Sequence, residues 1–242
     1  MSTQTKARPG DRPTPGMLRL VPRQADAVSF GMAALVIVAA FGLVFAHTHT
    51  MTHLDFGVDK WVSLHHVAAL TALAVAINWL FSPVHAIVIT VVIVAVIVSV
   101  TRNVRLGGTF ALVVAVSWLS SNVLKSLVHR HRPDYHALAH PFLPHPTDFS
   151  YPSGHTVFAT SLALAFIFLS RGKGFQPVVV VLAIVGSLTV AWSRVYLGVH
   201  YPSDVIAGLL WATGACILVL TLSNRYLLPR TQRIPDTVET LV

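Results

Sequence analysis

An all-α integral membrane protein with six transmembrane helices is predicted by composition, by a set of apolar runs and by the placement of basic residues. Of the 242 residues, 54% are hydrophobic and only 11% charged, against about 25% charged in an ordinary soluble domain. Mean hydropathy is +0.69. Most of the chain is therefore solvated by something other than water. Apolar runs lie at about 28–46, 84–101, 108–128, 155–170, 177–193 and 204–223, each near the ~20 residues that cross a bilayer.

Residues 1–27 are rich in Pro, Arg and Thr without apolar periodicity and read as a disordered cytoplasmic tail. The first run, 28–46, has the basic flank of a signal sequence but no small-x-small cleavage site, so an uncleaved anchor is expected. The segment 55–82 is ambiguous: 55–66 is amphipathic and charged, while 67–81 is apolar, broken by Asn78 and followed by Pro83. Charge counting decides. With six spans and both termini inside, the inner side holds 12 Lys and Arg, five of them in the N-terminal tail, and the outer side holds Lys60, Lys125, Arg130, Arg132 and Arg194. A seventh span at 67–81 would make the split nearly even and erase the positive-inside bias. So 55–82 is expected to be a helical segment lying on or partly in the outer leaflet. Together 28–83 form the first span and this segment, 84–223 the core, and 224–242 a second cytoplasmic tail. The 155–170 run is the short one.

The formal charge of +8 is scattered, without a basic stripe interleaved with aromatics, so nucleic acid is not the expected partner. Cys216 is the single cysteine, which rules out an internal disulfide.

Three stretches carry the chemistry: Lys125-x6-Arg132-Pro133, Pro152-Ser153-Gly154-His155 and Ser193-Arg194-x5-His200-x3-Asp204. The topology puts all three at the outer ends of their helices, far apart in sequence but at one depth. Taken singly, a Lys or Arg at a span end is a snorkelling anchor, Pro-Ser-Gly a capped turn, and an interfacial His a group satisfied by water. Arg130, His129 and His131, in the variable positions of the first stretch, keep that plain reading. The set as a whole does not. Lys125, Arg132 and Arg194 supply three cations, two of them with the planar fork that engages two phosphate oxygens. Ser153 and Gly154 precede a helix whose free N–H groups and dipole favour an anion. Asp204 can fix the tautomer of His200 and leave its other nitrogen free to attack phosphorus, with His155 as proton donor to the leaving group. Only Asp134, Asp148 and Asp204 lie near these stretches, and no acidic cluster is available for a divalent metal.

These stretches resemble the signatures of the type 2 phosphatidic acid phosphatase family, the membrane branch of a superfamily that also contains vanadium haloperoxidases and bacterial acid phosphatases. The likeness covers roughly 84–223. It implies six helices and a metal-free, cofactor-free phosphatase acting on lipid phosphates or polyprenyl diphosphates such as undecaprenyl diphosphate at the outer leaflet, through a phosphohistidine. It makes His200 the nucleophile, Asp204 its orienting group and His155 the general acid. Lys125, Arg132, Ser153, Gly154 and Arg194 are then the phosphate-binding residues. One departure is Asp134-Tyr135, where many relatives repeat the Arg-Pro pair; it is expected to bear on substrate choice rather than chemistry. A vanadate-dependent peroxidase is the alternative within the superfamily. A transporter or lipid-binding protein is disfavoured because the charges cluster at one end of the spans and not at the midplane. All thirteen histidines also fall on the expected outer side. His47-x-His49-x3-His53 is either a zinc- or copper-binding and pH-tuning cluster or part of a solvated polar loop.

Overall fold

The structure, a computed structural model, describes residues 24–226, so the expected tails lie outside the described residues except for their inner ends. The described residues form helices and one short 3₁₀ turn, with no strand. The helices are α1 (Gln24–His47), α2 (His49–Leu64), α3 (Ala68–Leu80), α4 (Pro83–Thr101), α5 (Val104–Val128), α6 (Gly154–Leu169), α7 (Gln176–Tyr196) and α8 (Pro202–Tyr226). Prolines sit in the first turn of α4, α7 and α8, where the missing N–H has no partner to lose. Asn103 caps α5, its side chain accepting from the Leu106 amide at 3.1 Å.

Among the described residues, five helices are long and apolar enough to cross a membrane: α1, α4, α5, α7 and α8. The expected span at 155–170 is α6, only 16 residues long, so length and composition alone give five spans where six are expected. The segment 55–82 is two helices and not one, broken at 65–67 and reaching back to His49. α6 and α8 form the centre. α8 packs against α1, α5 and α6, while α6 also packs against α5 and α7. α4 covers α5, and α3 covers α7. One apolar cluster joins α1, α5, α6 and α8 through Val38, Leu124, Val157 and Trp211; another joins α4, α5, α6 and α8 through Ile97, Phe110, Phe158 and Cys216.

The outward faces are apolar as well. Val91, Val100, Leu119, Val123, Leu182 and Val185 are exposed on α4, α5 and α7, which water would not tolerate over such an area and lipid would. α2 is turned inside out. Asp55, Asp59 and Ser63, spaced four apart, face the bundle, while Leu54, Val58, Trp61 and Leu64 face away from it. Several histidines serve as struts: His65 donates to Trp61 O at 2.6 Å, His66 to Tyr196 O at 2.7 Å and His140 to Ser63 O at 2.8 Å. His47 donates back to Leu43 O at 2.8 Å.

Candidate active site

The ends of α5 and α7, the starts of α6 and α8, and the loop 129–153 meet at one end of the bundle. Lys125 lies in the last turn of α5. His129 then takes a left-handed conformation (φ 54) and turns the chain back, so that Ser150 N donates to Arg130 O at 2.8 Å. Arg194 lies in the last turn of α7. Gly198 follows with φ +63, and a Cβ there would collide with Leu138; only glycine meets both demands. The turn brings His200 inward, and Pro202 opens α8 with Asp204 in its first turn.

His200 is 1% exposed. Its Nε2 lies 3.0 Å from Arg132 Nη1. An arginine can only donate, so Nε2 carries the lone pair and Nδ1 the proton. Nδ1 faces Asp204 Oδ2 at 3.4 Å and has no hydrogen bond; contacts of this kind tighten when the reacting group binds. Burial first, then the charges of Arg132, Lys125 and Arg194 and the ring of His155, hold His200 well below the usual histidine range. It is a neutral imidazole at physiological pH.

The three expected cations surround it on different terms. Arg132 donates from Nε to Asp148 O at 2.9 Å, from Nη2 to Asp148 Oδ1 at 2.7 Å and from Nη1 to Val199 O at 2.5 Å. Lys125 Nζ meets the other oxygen of Asp148 at 2.6 Å. Partial burial raises the Asp148 carboxyl, and Arg132 and Lys125 together pull it below the ordinary range. Arg194 is 1% exposed and donates from Nη1 to Asn78 Oδ1 at 2.7 Å, while its Nε has no partner. Among the described residues no carboxylate pairs with it. A buried cation in that position is costly unless an anion arrives.

His155, the second residue of α6, donates from Nε2 to Asn78 O at 3.3 Å. Asn78 thus touches both His155 and Arg194. Ser153 occupies the N-cap position of α6, but its side chain does not cap the helix. Its hydroxyl accepts from Thr156 at 3.1 Å, and its amide donates to Asp204 O at 3.1 Å. A Cβ at Gly154 would meet only Trp118 Nε1, at 3.8 Å. Neither packing nor backbone angle requires a glycine there. All eight residues singled out from the sequence lie in this one cluster.

Four more groups belong to it to which the sequence reading gave no part in the site. Arg130, given a plain anchoring role, is 3% exposed and grips Asp204 Oδ1 at 2.7 Å, Ser203 Oγ at 2.6 Å and Asp55 Oδ2 at 2.8 Å. Its guanidinium also stacks 4.2 Å from the Tyr201 ring. Ser203 hydrogen-bonds Asp55 in turn. Burial works against the charge of Arg130, and Asp204 and Asp55 more than restore it, so its pKa stays above the ordinary arginine value. Asp55, Asp148 and Asn78 complete the set. Asp134 and Tyr135, the departure from the family pattern, shape the loop: Asp134 accepts from His136 N at 3.0 Å, and Tyr135 stacks on His145 at 4.8 Å. For His47, His49 and His53, no group of three His, Cys, Asp or Glu suited to a metal occurs among the described residues, and the His49 side chain lies outside them.

The family model of the PAP2 superfamily matches residues 105–227, a stretch that contains every residue of the cluster except Asp55 and Asn78. An undecaprenyl-diphosphatase from Sulfolobus acidocaldarius is 30% identical over 178 residues, 70% of this chain and 78% of that protein. Phosphatidylglycerophosphatase B of Bacillus subtilis is 37% identical over 110 residues, 42% of this chain and 50% of the other. Against several other curated relatives the chain likewise spans little more than half of their length. A crystal structure of a transmembrane PAP2-type phosphatidylglycerolphosphate phosphatase from Bacillus subtilis superposes with a TM-score of 0.68 at 27% identity. It covers 85% of this chain and 98% of that one. With half of the sequence matched to the family model, and the fold matched along nearly the whole of a solved relative, the chain belongs to the PAP2 superfamily.

Proposed function

We propose that the protein is a multi-pass membrane phosphatase that removes phosphate from a lipid phosphate or polyprenyl diphosphate at the outer leaflet, through a phosphohistidine and without a metal. The observation that carries this reading is Arg194: a buried guanidinium without a carboxylate, beside a neutral, buried His200. Phosphate is the anion that answers such a cation together with Lys125, Arg132 and the uncapped start of α6. The relatives' names, undecaprenyl-diphosphatase and phosphatidylglycerophosphatase, point to the same two lipid classes.

In the reaction, the lone pair of His200 Nε2 forms a bond to phosphorus as the bond to the lipid oxygen breaks. His155, carrying a second ring proton once the phosphate anion is bound, gives that proton to the oxygen and becomes neutral. The imidazolium character that develops on His200 is held by Asp204, which Arg130 keeps aimed. Water then attacks the phosphohistidine, passing a proton to His155, and orthophosphate leaves with His200 neutral again. Lys125, Arg132, Arg194, Ser153 and Gly154 hold the equatorial oxygens, where charge accumulates.

What supports six crossings is the direction of the chain. Lys125 ends α5 and Arg194 ends α7 at the same site, so these two helices run in the same sense. α6 begins at the site and must return the chain to the far side between them. A short helix is suited to this because α5, α7 and α8 surround it, and lipid need not match its length.

The test is phosphate release by purified protein in detergent with EDTA, from undecaprenyl diphosphate, phosphatidylglycerophosphate and phosphatidic acid, with His200→Ala alongside. Release that persists in EDTA and is lost in His200→Ala is expected, together with an acid-labile, alkali-stable phosphoprotein in rapidly quenched wild type. Release abolished by EDTA and restored by a divalent metal would refute the metal-free mechanism.

A further inference from the structure

We infer that the groove between α6 and α7 holds the hydrocarbon tail of the lipid whose phosphate the site binds; this rests on the phosphatase reading above. The groove has a volume of about 360 Å³, within the range of ligand-holding pockets. Its three walls are continuations of the three elements that meet at Asn78, His155 and Arg194. On α6, Ala159 lies one turn beyond His155 on the same face, and Phe166 two further turns down. On α7, Ser187 lies seven residues before Arg194, with Gly186 and Ala183 beside it. The third wall is Phe81, three residues after Asn78, and Asn78 itself bonds both Arg194 and His155.

The groove begins at Ala159, one turn from His155 and below the contact of Ile77 with Val190, and runs about 10 Å along α6 to the level of Phe166. Its walls carry no charge, and the cations lie beyond its Ala159 and Ser187 end. That is the complement of an amphiphile with one anionic end. Small residues at Ala159, Ala183 and Gly186 keep it open. Leu182, 65% exposed, puts its mouth on the outer surface of the bundle, so a chain can slide in sideways and its remainder can trail into the bilayer. A polyprenyl chain and an acyl chain both meet these demands.

Gly186 makes the test clean, because a Cβ there would meet no atom within 4 Å. Gly186→Leu adds a side chain to the groove from a Cβ that is clear of its walls. The readout is the ratio of kcat/KM for a long-chain lipid phosphate to that for p-nitrophenyl phosphate, which has no tail. Losing the burial of about two methylenes lowers that ratio about tenfold, and Ala183→Phe acts in the same direction. A second arm uses phosphatidic acid and a polyprenyl monophosphate, each with a diazirine in the tail. Both are expected to label α6 and α7, and unlabelled lipid phosphate should compete while phosphatidylcholine does not. An unchanged ratio, or labelling that lipid phosphate cannot displace, would overturn the inference and leave the groove to bulk lipid. If wild type cleaves no substrate, the phosphatase reading fails, and the labelling arm still decides whether the groove takes the tail.

Discussion

At the scale of single residues, the weight falls on Arg130 and Asp148, which pair with the groups the motifs supply. Arg130 is held between Asp204 and Asp55 and is nearly out of reach of solvent. Arg130→Ala leaves two buried carboxylates facing each other, and removing one partner of a buried pair costs about 3–5 kcal/mol; a clear fall in Tm is expected. Arg130→Lys is the more informative change, since a point charge cannot span both carboxylates and Ser203 as the fork does. With one charge-assisted bond lost, kcat should fall roughly ten- to hundredfold while the protein stays folded, as steady-state kinetics beside a melting curve would reveal. Asp148 plays the opposite part. It already answers Lys125 and Arg132 with a side chain that is 56% exposed, so an incoming phosphate competes with it. Asp148→Asn is expected to tighten competitive inhibition by orthophosphate by about fivefold, the most a half-exposed pair warrants. Weaker inhibition would mean that Asp148 chiefly holds the two cations in place. That His200, Asp204, His155 and the three cations belong together was legible because the spacing within each motif is local. Arg130 was not, since the same arginine at a helix end is an anchor unless a distant Asp55 is brought to it.

At the scale of elements, α2 is where geometry adds what hydropathy does not say. The sequence marks 55–66 as amphipathic and charged, and the structure turns its stripe Asp55, Asp59, Ser63 inward. Periodicity marks an amphipathic helix without saying which face meets the protein, and in a membrane the usual assignment inverts. Asp59 is the sharpest case. It is fully buried, and neither of its oxygens has a partner. Burial, then the charges of Asp204 and Asp55 against the pull of Arg130, raise it to about 9. The folded protein thus keeps a proton that the unfolded chain releases near 3.9. The stability linked to this proton is fully present below about pH 4 and is lost as pH rises towards 9. Asp59→Asn removes that loss, so the Tm of the variant relative to wild type should climb between pH 5 and pH 8 in detergent. A constant difference would mean that Asp59 ionises freely in the fold. The long helices were easier to read, because apolar runs of 18 residues or more have few alternatives in sequence. The division of 55–82 into α2 and α3 was not, since the break at 65–67 depends on His66 and Val67 finding Tyr196, some 130 residues away.

At the scale of the whole molecule, the positive-inside bias and the meeting of helix ends are independent arguments for the six-span topology proposed above. α1 ends near the site, with Phe45 against the Arg130 guanidinium, and α4 begins near it, just past Asn78 and Phe81. α2 and α3 therefore leave and rejoin the same side, as the charge count requires. α3 supports this by lying obliquely over the site-bearing half of α7: Val67 reaches Tyr196, and Ile77 packs on Val190. The remaining question is α6, at about 24 Å shorter than the ~30 Å hydrocarbon core. The lone Cys216 is buried, and a Cys216→Ser background frees the chain for cysteine mapping. His136→Cys, in the exposed loop over the site, and Lys173→Cys, in the exposed turn after α6, divide the possibilities. If α6 crosses, a membrane-impermeant maleimide applied to intact cells labels the first and reaches the second only after the membrane is permeabilised. Labelling of both from outside would leave α6 on one side and force α7 to run against α5. Arg194 and Lys125 would then sit on opposite faces of the membrane, which the 3.0 Å approach of Arg132 to His200 does not allow. The position of Lys173 therefore tests the topology and the integrity of the site together.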